Sequence, residues 1–279
     1  MSKLELETSV VSTTWLYNNL DAENIIILNA TIPKVTSEDR EDSEVFQISN
    51  TRFFDIKNKF SDVDGEFPST FPSSEQFETS AQELGINSDS VIIVYDEKGI
   101  YSSARAWYLF KAFGHKQVAV LNGGLPAWKD EKFPLEKKQN NIKVATGNFQ
   151  AKLQARYMVF FEDILKIQDD SNYTIIDARS SDRFQSLTPE PRAGLRSGTI
   201  PNSKNLPFTT LLQGQKLLPK TYLEKAFKEV TDKNEKLVFS CGSGITACVL
   251  ALGANVLGYK NTAVYDGSWT EYGSLVKKS

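Results

Sequence analysis

Lys236–Leu250 reads KLVFSCGSGITACVL, and this stretch decides the fold. It opens with a short run rich in strand-favouring apolar residues and without a polar face, which predicts a strand buried on both sides. A cysteine and a Gly-Ser-Gly turn follow. The apolar pattern from Thr246 to Leu257 is then long enough for a buried helix. A strand handing over directly to a helix is the unit of a parallel sheet, because parallel neighbours need a crossover connection.

The same order occurs earlier, where VIIVYDEKG from Val91 precedes a helical pattern over Ser103–Phe113. Three more segments repeat in register. IIILNAT (Ile25–Thr31) resembles TIIDARS (Thr174–Ser180), ISNTRFFD from Ile48 resembles IPNSKNLP from Ile200, and GHKQVAVLNGG from Gly114 resembles GYKNTAVYDGS from Gly258. Four pairs in one order, roughly 150 residues apart, indicate an internal duplication. Each half has three buried-strand runs: Ile25–Leu28, Val91–Tyr95 and Val118–Leu121, then Thr174–Ile176, Leu237–Phe239 and Ala263–Tyr265. Alternation of strand and helix predicts an α/β fold of two tandem domains, each a parallel sheet flanked by helices. The polar stretch Glu136–Gly147 reads as a linker, which divides the chain into an N-terminal domain over 1–137, a linker over 138–153 and a C-terminal domain over 154–279. The charged run Ser37–Glu44 reads as a solvated loop or helix face.

The chain has 279 residues, of which 40% are hydrophobic and 24% charged, with a net charge of −3. That balance suits a core-forming globular protein and argues against a dedicated nucleic-acid or acidic-membrane binder. No apolar run approaches the roughly 18 residues of a membrane span. The start, MSKLELETSV, lacks the pattern of a secretory signal, so a reducing, cytoplasmic setting is expected. Two cysteines and one histidine are too few for a structural zinc cluster, which takes about four such ligands, or for a disulfide framework. No metal and no organic cofactor are expected.

Cys241 would stand at the carboxyl end of a parallel strand, where open α/β sheets bind ligands. Gly242 and Gly244 permit a loop whose N–H groups turn inward, and together with the following helix N-terminus these would favour a thiolate. Ser243 and Thr246 add hydroxyls to the same loop. Cys248 falls inside the apolar run ACVLAL and reads as core.

CGSGITA, the DGSW of Asp266–Trp269, DARSSDRFQSLTPEPRAG (Asp177–Gly194), FFDI (Phe53–Ile56) and GIYSSAR (Gly99–Arg105) together resemble the 3-mercaptopyruvate sulfurtransferases of the two-domain rhodanese family. The resemblance implies two rhodanese-like domains with the nucleophile in the second only, and Asp96 aligns with Cys241. It implies catalytic roles for Cys241, Ser243 and Thr246, and a substrate site formed by Arg183, Arg192, Gly242, Gly244, Ile245 and Tyr101. The neutral Gly-Ser-Gly loop favours 3-mercaptopyruvate, since thiosulfate enzymes carry basic residues there. Arginine's fixed fork of donors matches the paired oxygens of a 2-oxo acid. Arg179 and Arg196 are expected in structural salt bridges, and Trp269 either walls the cleft or anchors the core. The partners expected are a small-molecule sulfur donor and, as acceptor of the sulfur from a Cys241 persulfide, cyanide or a thiol such as thioredoxin or a small dithiol, with no nucleic acid, no membrane, and a monomeric chain. A thiosulfate sulfurtransferase and a non-turnover persulfide carrier are the alternatives. A phosphatase is disfavoured because position 247, where such loops need arginine, is Ala247.

The chain departs from the family in its acid–base residues. Lys57 stands where the family has an Asp after FFDI, and Lys59–Phe71 contains no histidine. The single histidine, His115, pairs with Tyr259 in the repeat, which marks a structural turn. Cys241 must then be activated by loop amides, helix dipole and hydroxyls.

Overall fold

The computed structural model describes residues 3–32, 45–139, 143–231 and 236–277, and the run Ser37–Glu44 lies outside them. The chain divides into two compact units. The first comprises Met1–Ser61, Pro72–Gln154 and Gly214–Lys216; the second comprises Asp62–Phe71, Ala155–Gln213 and Leu217–Ser279. The described part of the expected linker packs into the first unit instead of hanging free. Phe149 is buried near Phe77 and Phe110, and Gly147, Phe149, Lys152 and Gln154 donate their N–H groups to the carbonyls of Gln82, Ile86, Phe113 and Ala112.

In the first unit the strands are β1 (Val10–Val11), β2 (Ile25–Asn29), β3 (Thr51–Phe53), β4 (Val91–Tyr95) and β5 (Val118–Leu121), in the sheet order β1-β5-β4-β2-β3. In the second unit they are β6 (Met158–Val159), β7 (Tyr173–Asp177), β8 (Lys204–Asn205), β9 (Lys236–Ser240) and β10 (Thr262–Tyr265), in the order β6-β10-β9-β7-β8. Every pairing in both sheets is parallel, and the two orders correspond strand for strand. The strands fall where the repeat puts them, with one refinement. Ile25 pairs with Val91 as Tyr173 pairs with Lys236, so Asn24 corresponds to Asn172, one residue off the sequence pairing.

All five residues of β4 are fully buried, as a strand covered on both faces must be. The helices of the first unit include α1 (Thr13–Tyr17), α2 (Ser74–Glu83), α3 (Ser103–Ala112) and α4 (Gly124–Asp130). Those of the second include α5 (Phe161–Ile167), α6 (Ser181–Phe184), α7 (Lys220–Lys228), α8 (Ala247–Leu257) and α9 (Ser268–Leu275). α8 is apolar around nearly its whole circumference and is buried accordingly. It follows β9 after one short turn, so the turn is pinned between two buried elements. None of the described helices is long and apolar enough to cross a membrane.

Candidate active site

Parallel strands in register end together, which gathers side chains at the carboxyl edge of the second sheet. Ser240 lies opposite Asp177, so Cys241 follows one strand while Arg179 follows its neighbour. Cys241 is 2% exposed, at the base of the turn to α8. Gly244 takes φ +75°, which turns the chain back toward the helix.

The turn is held by a residue the sequence reading passed over. Ser268 is fully buried and itself has φ +52°. Its Oγ accepts the N–H groups of Cys241 and Gly244, both at 3.1 Å, and donates to the Tyr265 carbonyl at 2.9 Å. This corrects the expectation that all loop amides face inward, because two of them are engaged by a side chain. The N–H groups of Gly242, Ser243, Ile245 and Thr246 find no acceptor among the described residues, which leaves them for an anion. The hydroxyls of Ser243 and Thr246 are uncommitted among the described residues, and Thr246 stands at the N-cap of α8 without capping it. Ile245 is buried beside them.

Both candidate arginines come to this turn. A Cβ added to Gly242 would lie 3.1 Å from Arg183 Nη2, so the missing side chain is the space the guanidinium uses. Arg192 Nη1 donates to Thr270 Oγ1 at 2.6 Å, and Thr270 donates to the Gly242 carbonyl from its hydroxyl and, at 2.9 Å, from its N–H. The Arg183 fork is not wholly free as expected. Nη2 pairs with Glu190 Oε2 at 2.6 Å and Nε reaches Oε1 at 3.4 Å, which leaves Nη1 and the second Nη2 hydrogen. Glu190, also unforeseen, is buried and joins Arg183 to Arg179. Arg179 makes the expected structural pair, with Nη2 2.6 Å from Asp177 Oδ2. Arg196 is structural in another way. It donates to the Val276 carbonyl at 2.9 and 3.1 Å and stacks on the Trp269 ring, with no ion pair among the described residues. Trp269 is fully buried between such contacts and anchors the core. Cys248 is also fully buried, its Sγ 3.2 Å from the Gly244 carbonyl.

In the first unit the corresponding turn is filled by a carboxyl group of the chain itself. Asp96 occupies the cysteine position, fully buried, and its Oδ2 accepts the N–H groups of Tyr101, Ser102 and Ser103 at 2.8–3.0 Å. Its Oδ1 accepts the Lys98 N–H at 2.9 Å. Burial nevertheless pushes this carboxyl above its ordinary range. Strand end, turn and helix start thus present a cradle of N–H donors in both units. The first fills it with its own side chain, and Tyr101 is fixed there through its backbone. Lys57 is exposed in the turn begun by Asp55.

His115 is buried in the first unit, its Nε2 2.8 Å from the Ser90 carbonyl and its ring against Phe110 and Phe149. Burial holds the imidazole below its ordinary pKa, so the fold keeps it neutral while the unfolded chain takes up a proton below about pH 6.5. Its stabilising contribution is full above that pH and falls as pH drops through it. The urea midpoint is expected to fall more steeply between pH 7 and 5.5 than that of His115→Gln. Equal slopes would show that the ring is protonated in the fold.

The Rhodanese-like domain model matches residues 12–131 and 161–275. The chain is 34% identical to the 3-mercaptopyruvate sulfurtransferase of Escherichia coli K12 over 271 residues, covering 96% of this chain and 95% of that protein. It is 33% identical to the 3-mercaptopyruvate sulfurtransferase of Homo sapiens, covering 98% and 94%. It is 35% identical to thiosulfate/3-mercaptopyruvate sulfurtransferase 1, mitochondrial, of Arabidopsis thaliana, covering 97% and 77%. Among solved structures, SseA from Escherichia coli superposes with a TM-score of 0.83 at 33% identity, covering 94% of this chain and 99% of that one. Tum1 from Saccharomyces cerevisiae superposes with a TM-score of 0.86 at 27% identity, covering 95% and 94%. With both halves matched and the similarity running nearly end to end, the chain belongs to the two-domain rhodanese family of sulfurtransferases.

Proposed function

We propose that the protein takes sulfur from 3-mercaptopyruvate on Cys241, releases pyruvate, and passes the sulfur to a thiol. The observation that carries this reading is that Arg183 lies against Gly242, one residue from the thiol, while Arg192 is linked to the same residue through Thr270. Two guanidinium groups beside a neutral Gly-Ser-Gly turn suit a donor whose charge is a carboxylate set back from its sulfur. The Cys241 thiolate attacks the donor sulfur, an S–S bond forms, and the C3–S bond breaks with its electron pair going to the pyruvate enolate. The enolate is protonated at C3, with Ser243 passing the proton. The unengaged amides of the turn, with Ser243 and Thr246, stabilise the charge as it moves. An acceptor thiolate, from thioredoxin or a small dithiol, then attacks the outer sulfur and returns the Cys241 thiolate. Both cysteines are free, and a reducing compartment suits this cycle.

The donor test is a comparison of kcat/KM. It is expected to be at least about 10-fold higher for 3-mercaptopyruvate than for thiosulfate, since a misplaced or missing charge contact is worth about 1.4 kcal/mol or more. Mass spectrometry after one equivalent of 3-mercaptopyruvate is expected to show about +32 Da, one sulfur, on the peptide holding Cys241. A preference for thiosulfate, or pyruvate without the adduct, would overturn the reading.

A further inference from the structure

The repeat contains a groove that one unit fills and that the other, among the described residues, leaves open. In the first unit Leu4 and Leu6 pack against the sheet core while Glu5 and Glu7 face outward. Two side-chain amides at strand starts hold this segment. The Leu4 N–H donates to Asn24 Oδ1 at 3.1 Å, the Leu4 carbonyl accepts from Asn24 Nδ2 at 3.0 Å, and the Leu6 N–H donates to Gln117 Oε1 at 2.6 Å. The second unit keeps an asparagine at each position, although Asn172 Nδ2 donates to Asp170 Oδ1 at 2.7 Å and only Asn261 lines the cavity at this place. Asn172 precedes β7 as Asn24 precedes β2, and Asn261 precedes β10 as Gln117 precedes β5. It lacks the segment, because the described chain leading toward β6 is bonded into the first unit.

At the corresponding place lies a cavity of about 660 Å³, floored by Ile167, Val238 and Ala263 and walled in part by Asn261. Arg156, Lys166, Lys236 and Lys260 stand around it with one carboxylate, Asp163, which accepts the Phe160 N–H at the start of α5. None of the four cations forms an ion pair with a described residue. Lys236 lies over the Tyr173 ring and Arg156 over the Tyr157 ring. Four cations on one rim stand out in a chain whose net charge is −3.

We propose that this groove docks an extended segment of a partner polypeptide in which apolar and acidic residues alternate. An extended segment sends alternate side chains to opposite sides. The apolar floor takes one set and the cationic rim takes the other, while the Asn261 amide on the wall holds the backbone. The first unit docks such a segment in cis, and its sequence is Leu4-Glu5-Leu6-Glu7.

Fluorescence anisotropy of a labelled KLELETS peptide, the sequence of residues 3–9, titrated with the full chain tests this. Saturable binding is expected, weakened about 10-fold or more in the double variant Lys236→Glu/Lys260→Glu and by rising salt. A shuffled KEELLTS peptide, with the alternation lost, is expected to bind several-fold more weakly. The double variant should unfold at the wild-type temperature, since both lysines are exposed. No saturable binding, or equal binding to the charge-reversed chain, would overturn the proposal. Self-association of the wild-type chain that the same reversal abolishes would assign the groove to a second copy instead and overturn the partner reading.

Discussion

Cys241→Ser is expected to lower pyruvate release from 3-mercaptopyruvate by on the order of 10⁴-fold or more while leaving the fold intact. The hydroxyl of serine is not ionised near neutral pH and is a poor acceptor of sulfur, so loss of the thiolate removes the covalent route itself. The turn survives the change because it is held through backbone atoms. The N–H of residue 241 is bound by Ser268, and its carbonyl accepts the Trp269 N–H at 3.0 Å. Cys248 cannot take over, since it is fully buried with its sulfur directed at the Gly244 carbonyl. A coupled assay for pyruvate measures the rate, and thermal unfolding checks the fold. Turnover near the wild-type rate in the serine variant would remove Cys241 from the mechanism.

Ser268→Ala is expected to reduce kcat/KM about 10²-fold, a loss comparable to that of one well-placed donor around a developing charge. The repeat explains why so small a group matters. Ser268 corresponds to Gly124, and both take positive φ, 52° and 56°. In the first unit Asp96 and Gly99 face each other directly as an antiparallel bridge, and a Cβ on Gly124 would lie 2.3 Å from the Asp96 carbonyl. That turn is closed. In the second unit the serine hydroxyl stands between the corresponding residues, Cys241 and Gly244, and takes an N–H from each. The hydroxyl therefore wedges the turn open and sets the direction of the amides that follow. Alanine would leave two buried N–H groups unpaired at a cost of about 1–3 kcal/mol each, so a lower unfolding temperature accompanies the lost activity. Ser268→Gly separates the two effects, because the first unit shows that glycine lets this turn close on itself. It should retain more stability than alanine and recover no activity. Turnover within about threefold of wild type in both variants would show that the hydroxyl does not shape the site.

Much of the site was legible because the turn is local. Cys241, Gly242, Ser243, Gly244 and Thr246 lie within one strand–turn–helix unit, where spacing alone fixes their neighbourhood. Arg183 and Arg192 were found through the family resemblance; Arg183 lies against Gly242, and Arg192 is linked to it through Thr270. Ser268, Thr270 and Glu190 were missed, although the first two flank Trp269 in a stretch the sequence had singled out. A serine gives no periodic signal and sits anywhere in a turn. The one available hint was the repeat itself, in which the position of Gly124 is taken by a residue with a hydroxyl. The packing of the linker was not legible for a related reason. Its polar composition hid Phe149, whose ring enters the first core, and the backbone bonds that tie its neighbours down.

From the sequence came the duplication, the parallel α/β class and the choice of Cys241 as the candidate nucleophile. Buried strands, glycine turns and apolar helices are chemistries of adjacent residues, and adjacency is what a sequence records. It took the tertiary structure to settle which amides of the turn are engaged, that Arg183 shares its fork with Glu190, and that no described residue fills the second unit's groove as Leu4 and Leu6 fill the first. Each of those depends on a side chain brought in from a distant part of the chain, where its direction is set by packing and backbone geometry, and no spacing along the chain encodes that direction.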